Sequence, residues 1–300
     1  MPAVLIAAPE SLSGKTTIAA ALGRRLADSG KRVALWRLAG DANASADARW
    51  LAGLAFNAGR RPEPQEAPAL SAGADVSLVE APAGDPGGAL ASLSARAVVV
   101  VAYADPLPAG LASYCGALGQ ACAGLAVTRV PQRRLEATRA AAAAIGVRLL
   151  GLIPEDRTLA APTLAALAEA LEAGGSSLNS AGETVIDRPI ISSISADPAQ
   201  GYFARYGPNA VIVRSDKPDQ QLGALNAGAP CLIVTGGLPL LSYVEERAAE
   251  EGIPVLRTRY DTVAAVERLE ALYGVTPFCG RAKVERIAEL AGGLDISSLT

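Results

Sequence analysis

The sequence predicts an α/β protein: a doubly wound, mostly parallel sheet followed by a second, smaller α/β domain. Three observations carry this. Short apolar runs alternate with segments whose apolar residues recur at helical spacing. One of the runs, Ala97 to Ala102, is apolar throughout, as in a central strand covered on both faces. Half of the residues are hydrophobic but only 4% are aromatic, so the cores are built from Ala, Val, Leu and Ile. At 300 residues the chain is long enough for two domains, each with its own core.

Taken in order, a strand is expected over Ala3 to Ala8, then a helix carrying Ile18, Leu22 and Leu26 at i, i+4 and i+8. Gly30 and Lys31 turn the chain into a second strand, Val33 to Trp36, which ends at Arg37-Leu38-Ala39-Gly40-Asp41. A helical pattern runs from Ala48 to Ala58 and a proline-rich linker from Gly59 to Pro68. Strands follow at Val76 to Val79, Ala97 to Ala102, Leu125 to Thr128 and Arg148 to Ile153. Helices are expected near Gly110 to Gly119, from Gln132 to Ile145 and from Pro162 to Ala173. Gly174-Gly175-Ser176-Ser177 has linker composition, so the domains are expected at 1–176 and 177–300. The second domain reads as strands at Val185 to Ser195 (with Pro189 as a candidate break), Ala210 to Arg214, Cys231 to Val234 and Val255 to Thr258. Its helices are expected at Pro218 to Ala227 and Pro239 to Glu251, with an amphipathic tail helix at Val284 to Leu290.

The first strand and helix are joined by Ala7-Ala8-Pro9-Glu10-Ser11-Leu12-Ser13-Gly14-Lys15-Thr16-Thr17. Strand, tight loop, Gly-Lys-Thr and helix together are the signature of a phosphate-binding P-loop, with Pro9 where the pattern usually begins with glycine. Backbone N–H groups of Ser11, Leu12, Ser13, Gly14, Lys15, Thr16 and Thr17 are then the expected phosphate donors at the positive end of a helix dipole. Lys15 is expected along the β- and γ-phosphates and the Thr16 hydroxyl on Mg²⁺. Lysine occurs only at positions 15, 31, 217 and 283 in a chain that otherwise uses arginine.

In a parallel sheet, ligands sit beyond the carboxyl ends of the strands. Polar residues gather at those ends here: Arg37, Asp41 or Asp47, Glu80, and the loops after Thr128 and Ile153, the latter beginning at Pro154. Glu80 ends an apolar strand, suited to Mg²⁺ directly or through water. Asp47 reads equally as a second carboxylate near the metal or as a helix N-cap. Arg37 reads as a clamp on an anion or as a surface arginine. In the second domain, Ser215-Asp216-Lys217 and Thr235-Gly236-Gly237 stand at strand ends. The latter reads as an anion nest or as a turn that needs glycine, with the turn favoured.

Composition excludes several classes. With no histidine there is no Ser-His-Asp or Cys-His catalysis and no His-ligated metal. The cysteines, Cys115, Cys122, Cys231 and Cys279, have no C-x-x-C spacing and are expected as buried structural residues. A net charge of −3 provides no general attraction to nucleic acid or anionic membrane. No apolar run reaches the roughly 18 residues of a membrane span, and a cytoplasmic protein is expected.

Residues 3 to about 175 resemble the dethiobiotin synthetase/cobyrinate diamide synthase group of P-loop proteins, whose cobyrinate branch carries Ala-Ala-Pro-x-Ser-x-Ser-Gly-Lys-Thr-Thr. Val79-Glu80-Ala81-Pro82-Ala83-Gly84 is similar to the strand end of dethiobiotin synthetase, and the resemblance implies a Mg²⁺ site of Thr16, Asp47 and Glu80 with ATP as cofactor. Residues from about 180 resemble the DRTGG domain through Asp216-Lys217, with lysine in place of arginine, and Thr235-Gly236-Gly237. The pair resembles the N-terminal regulatory region of long bacterial phosphotransacetylases, in which Gly151 to Arg157 is similar to the domain junction. The departures are Arg37-Leu38 where dethiobiotin synthetase has Lys-Pro, and Thr128 where it has an adenine-reading Asn. No glutaminase or acetyltransferase domain is expected within these residues. The resemblance implies an ATP-binding regulatory protein, with Thr128 and Pro154 near the nucleotide, a small anionic effector and a homodimer as candidate partners. The alternative is an ATP-dependent carboxylate ligase in which Lys15 and Arg37 are catalytic.

Overall fold

In a computed structural model, residues 3–67, 70, 73–175, 178–192, 202–203, 209–297 and 299 are described. The chain runs through β1 (Ala3–Ala7), α1 (Lys15–Asp28), β2 (Val33–Arg37), α2 (Ala44–Gly53), β3 (Val76–Glu80) and α3 (Gly87–Leu93). It continues through β4 (Arg96–Ala102), α4 (Leu111–Leu118), β5 (Cys122–Val130), α5 (Leu135–Ala144), β6 (Leu149–Pro154) and α6 (Arg157–Ala160). Next come α7 (Leu164–Ala170), β7 (Gly174–Gly175), β8 (Ile190–Ile191), β9 (Val211–Arg214) and α8 (Pro218–Asn226). The last elements are β10 (Leu232–Thr235), α9 (Ser242–Glu250), β11 (Val255–Arg257), α10 (Thr262–Glu270) and α11 (Arg281–Leu290).

Contacts divide the chain into two compact units. One is residues 1–159 with 277–279 and 283–300; the other is 160–276 with 280–282. The first holds a six-stranded parallel sheet in the order β2-β3-β1-β4-β5-β6. Alternation along each strand sends Val4 and Ile6 to one face, with α1, and Leu5 to the other, with Ala34 and Trp36. Helices α3, α4 and α5 cover that second face, which makes the sheet doubly wound. Val98, Val99 and Val100 of β4 are fully buried, as expected of a central strand. The second unit repeats the plan on a smaller scale, in the order β7-β11-β10-β9-β8, parallel except for the two-residue edge strand β7. Helices α8 and α9 cover one face of it, α7 and α10 the other.

The division differs from the expected 1–176 and 177–300 at both ends. The boundary lies near residue 160, and the tail returns to the first unit. The reason is apolar burial: Phe278, Ile287, Ala291, Leu294 and Leu299 join the cluster of Ile18, Leu22 and Leu26 on the α1 side of the sheet. Arg25 then donates to the carbonyls of Ala291, Gly292 and Leu294, satisfying chain-end acceptors of the tail.

Local differences have local causes. The strand expected from Val185 is reduced to Ile190–Ile191, directly after Pro189, which has no N–H to donate; residues 193–195 lie outside the described residues. Helix α2 begins at Ala44, four residues before the expected start, and ends at Gly53, before Leu54, which is extended. Helices α3 and α10 have no counterpart in the sequence reading. Their signals are short, although the Asp261 carboxylate accepting the Ala264 N–H is an ordinary N-cap for α10. Of the four cysteines, Cys115 and Cys231 are buried as expected, while Cys122 and Cys279 are only partly buried.

Candidate functional site

The loop from Ala8 to Gly14 leaves β1 at the sheet's center and enters α1 through Gly14, whose φ is +92°. Glycine is required there twice over. The angle favours it, and a Cβ would stand 3.1 Å from both Cγ2 and Oγ1 of Thr128. Leu12, at φ +56°, holds the left-handed region with a branched side chain that is 51% exposed. No described acceptor takes the N–H groups from Ser11 to Thr17; the first backbone bond of the helix runs from Ile18 N–H to Gly14 O. Donors left open at a helix N-terminus, at the carboxyl end of a parallel strand, form an anion cradle.

Register brings the neighbouring side chains to the same level. Arg37 pairs with Glu80 between β2 and β3, and Ile6 with Glu80 between β1 and β3. Counting by twos from Val33, Leu35, Val76 and Leu78 places Arg37 and Glu80 on the α1 face. Glu80 is 2% exposed, and its Oε1 accepts from the Thr16 hydroxyl at 2.9 Å. Its Oε2 is buried without a hydrogen-bond partner, as is the Ser13 hydroxyl. Burial raises the Glu80 carboxyl to about 7, against the opposing pull of Arg37.

Arg37 is the hub. Its side chain is 1% exposed and donates to Asp41 Oδ2 at 2.5 Å and to Leu38 O at 2.8 Å. Its Nε lies 3.5 Å from Asp47 and 3.6 Å from Glu80. Asp47 sits in the first turn of α2, whose N-cap is Asn43, so the capping alternative for Asp47 does not hold. Burial raises the Asp47 carboxyl although Arg37 opposes it. Asp41 also faces Lys15, Nζ to Oδ2 3.6 Å, and accepts the Ala83 N–H at 3.2 Å. Burial works to raise Asp41, but the Ala83 N–H, Arg37 and Lys15 outweigh it and hold the carboxyl below its ordinary range. The surface alternative for Arg37 is therefore excluded, and Asp41, which the sequence offers beside Asp47, is the acid in contact with Lys15.

Thus Ser13, Gly14, Lys15, Thr16, Arg37, Asp47 and Glu80 come together, with Ser11, Leu12 and Thr17 on the same loop and helix start. Thr128 reaches the loop from below: it is 3% exposed and its hydroxyl donates to Ser13 O at 2.7 Å. That bond fixes the cradle's backbone and leaves the hydroxyl engaged. Pro154 ends β6 at the sheet edge, three strands from β1. Beyond it, Asp156 accepts from Leu159 N–H and from Arg286 of the returning tail.

The second unit's strand end is built differently. Gly236 and Gly237 have φ of +93° and +75°, and their N–H groups donate to Tyr260 O and Thr258 O. Those donors are spent, so the Thr-Gly-Gly segment is a turn and not an anion nest. Thr235, fully buried, shares a hydroxyl–hydroxyl bond with Thr262, and Asp216 pairs with Arg214. Gln221, 1% exposed, donates to Arg214 O and Ser215 O and pins the loop after β9 onto α8, a contact the sequence reading missed.

The loop, the buried carboxylate and the order of strands agree with what sequence comparison finds. Residues 4–165 match the CobQ/CobB/MinD/ParA nucleotide binding domain. The chain belongs to that family. Residues 166–272 match the DRTGG domain. Among solved structures, the chain is similar to the MinC:MinD cell division protein complex of Aquifex aeolicus, at 20% identity over 53% of this chain and 84% of that one, with a TM-score of 0.42. It is also similar to the CBS and DRTGG domains of the regulatory region of Clostridium perfringens pyrophosphatase, complexed with its activator diadenosine tetraphosphate. That match has 18% identity over 39% of this chain and a TM-score of 0.33, and the chain spans about half of that structure's length. No described helix is long and apolar enough to cross a membrane.

Proposed function

We propose that this chain is a Mg-ATP-binding regulatory protein: its first unit holds the nucleotide and its DRTGG unit serves sensing and homodimerisation. The observation that carries the reading is the open row of N–H donors from Ser11 to Thr17 beside Lys15, in a chain of the nucleotide binding domain family. A nucleoside triphosphate is expected because Lys15 stands where β- and γ-phosphates lie in such loops, and adenine is the base that the resemblance to dethiobiotin synthetase implies.

Mg²⁺ fits the residues present. Among the described residues no group of three or more acidic, Cys or His side chains forms a metal cage. Mg²⁺ bound with a nucleotide needs only one or two protein oxygens, the phosphates and waters supplying the rest. Thr16 and Glu80 offer such oxygens, and the buried, unpartnered Oε2 of Glu80 is the kind of acceptor that a cation would satisfy. Asp47 would contribute through its charge at the rim of the same cluster. The ion would neutralise phosphate charge; the chain's own part is to hold the phosphates with the loop donors and Lys15.

The ligase alternative needs Arg37 as a substrate clamp. Arg37 is 1% exposed and already engaged by Asp41 and Leu38 O, with Asp47 and Glu80 close by, which supports a structural hub and a binding role for the site. Leu238, Leu241 and Tyr243, each about half exposed after the Thr-Gly-Gly turn, support a homodimer surface on the second unit. Calorimetric titration of the full chain with ATP, with and without Mg²⁺, tests the reading. Mg²⁺-dependent binding is expected, and Glu80→Gln should remove most of that dependence. Absence of any ATP binding by the folded chain would refute it.

A further inference from the structure

Asp41 places a carboxylate against the lysine of the P-loop. Its Oδ2 lies between two buried cations, 3.6 Å from Lys15 Nζ and 2.5 Å from Arg37. Its Oδ1 accepts the Ala83 N–H, so two hydrogen-bond donors and one further cation, from three segments, hold one anion. The loop that carries it is fixed as well. Gly40 has φ +123°, a Cβ there would meet Pro82 at 3.1 Å, and Leu38 N–H donates to Glu80 O. A carboxylate so held satisfies Lys15 in the way a phosphoryl oxygen would. Asp47 and Glu80 add further negative charge beside it, balanced by Arg37.

From this geometry we infer that Asp41 sets the site's preference between nucleoside di- and triphosphates by competing with the terminal phosphoryl group for Lys15. The inference rests on the nucleotide reading above and goes beyond it. A diphosphate fills the loop donors and leaves the Lys15–Asp41 contact standing. A triphosphate brings a second anion to Lys15, so Asp41 has to leave it, and with Asp41 goes the bond to Ala83 that joins the loops after β2 and β3. The chain is thereby biased toward the diphosphate, and the triphosphate carries the added effect of releasing those loops.

The test is calorimetry on the full chain with Mg²⁺, comparing ADP with a non-hydrolysable ATP analogue, for wild type, Asp41→Asn and Asp41→Ser. Wild type should bind ADP at least as tightly as the triphosphate. Removing the charge should raise triphosphate affinity about tenfold, the worth of one charge-assisted contact, while ADP affinity changes less than about threefold. Asp41→Asn keeps an acceptor for Ala83 and Asp41→Ser does not, and both should show the same ratio, so a folding defect peculiar to one variant does not decide the result. Equal changes for both nucleotides, or weaker triphosphate binding in both variants, would overturn the inference while leaving the nucleotide site intact. If wild type and variants bind neither nucleotide, the nucleotide reading itself fails and this inference with it.

Discussion

Two glycine-bearing corners, one in each unit, look alike in sequence and differ in what they do with their N–H groups. Both follow the end of a parallel strand, both carry a threonine within two residues of a glycine, and both hold glycine at positive φ: Gly14 at +92°, Gly236 at +93° and Gly237 at +75°. In the first unit the donors from Ser11 to Thr17 have no described acceptor, and buried polar atoms of Ser13 and Glu80 stand unpartnered nearby. In the second the same kind of donors are spent on Tyr260 O and Thr258 O, and the threonine is bonded to Thr262. Glycine at a strand end therefore marks only a backbone conformation. Whether that conformation makes a site depends on which acceptors the next strand brings within reach.

The comparison can be broken most directly at the lysines. Lys15→Ala removes charge-assisted bonds worth about 1.5–3 kcal/mol each, so ATP affinity should fall at least about tenfold. Lys217→Ala, at the start of α8 in the second unit, should leave it unchanged. Calorimetric titration of the two folded variants decides; equal effects would erase the distinction between the corners.

A second contrast uses pH. The Glu80 carboxyl is raised from 4.5 to about 7 by burial. Between those values the folded state keeps a proton that the unfolded state has released, so stability falls as pH rises through the window, by at most about 1.4 kcal/mol per pH unit. The nucleotide-free Glu80→Gln protein should therefore melt close to wild type near pH 4.5 and above it at pH 8. Thermal denaturation across this range checks the sign; a variant that loses stability relative to wild type as pH rises would contradict it.

Thr128→Val tests how the first corner is held. It removes the hydroxyl that donates to Ser13 O, at a cost of about 1 kcal/mol. Weaker nucleotide binding with a modest drop in melting temperature is expected. The smallest effect should come from backbone angles. Leu12→Gly relieves a left-handed leucine and Gly236→Ala creates a left-handed alanine, each by about 1 kcal/mol and in opposite directions. Gly236→Ala should cost stability without touching ATP affinity, since the N–H donors of its corner are already spent.

Most of the strands were legible from sequence because their residues leave little choice. A run such as Ala97 to Ala102 has no polar side to expose, and the alternation of such runs with helical spacing leads to a doubly wound sheet. The P-loop was legible because Gly-Lys-Thr at a strand-to-helix corner is a local pattern, and Glu80 because it ends an apolar strand. What sequence left open concerned partners distant along the chain. Arg37 as clamp or surface residue was decided by the register of β2 and β3, which buries it beside Glu80, Asp47 as cap or second carboxylate by the start of α2 after Asn43, and Asp41 against Lys15 by the loop after β2. Thr128 was placed near the nucleotide by resemblance, and packing engages its hydroxyl with Ser13 O. The tail read as part of the second domain because it follows it in sequence, whereas apolar burial carried Ile287 and Leu294 back to the α1 side of the first sheet. The sequence by itself determined the elements, the loop and the class of fold, because these depend on residues within one or two turns of each other. Only the tertiary structure decided which donors stayed open and which acid met which cation, because hydrogen bonds and buried charges are settled by whatever the fold brings to within about 3–4 Å.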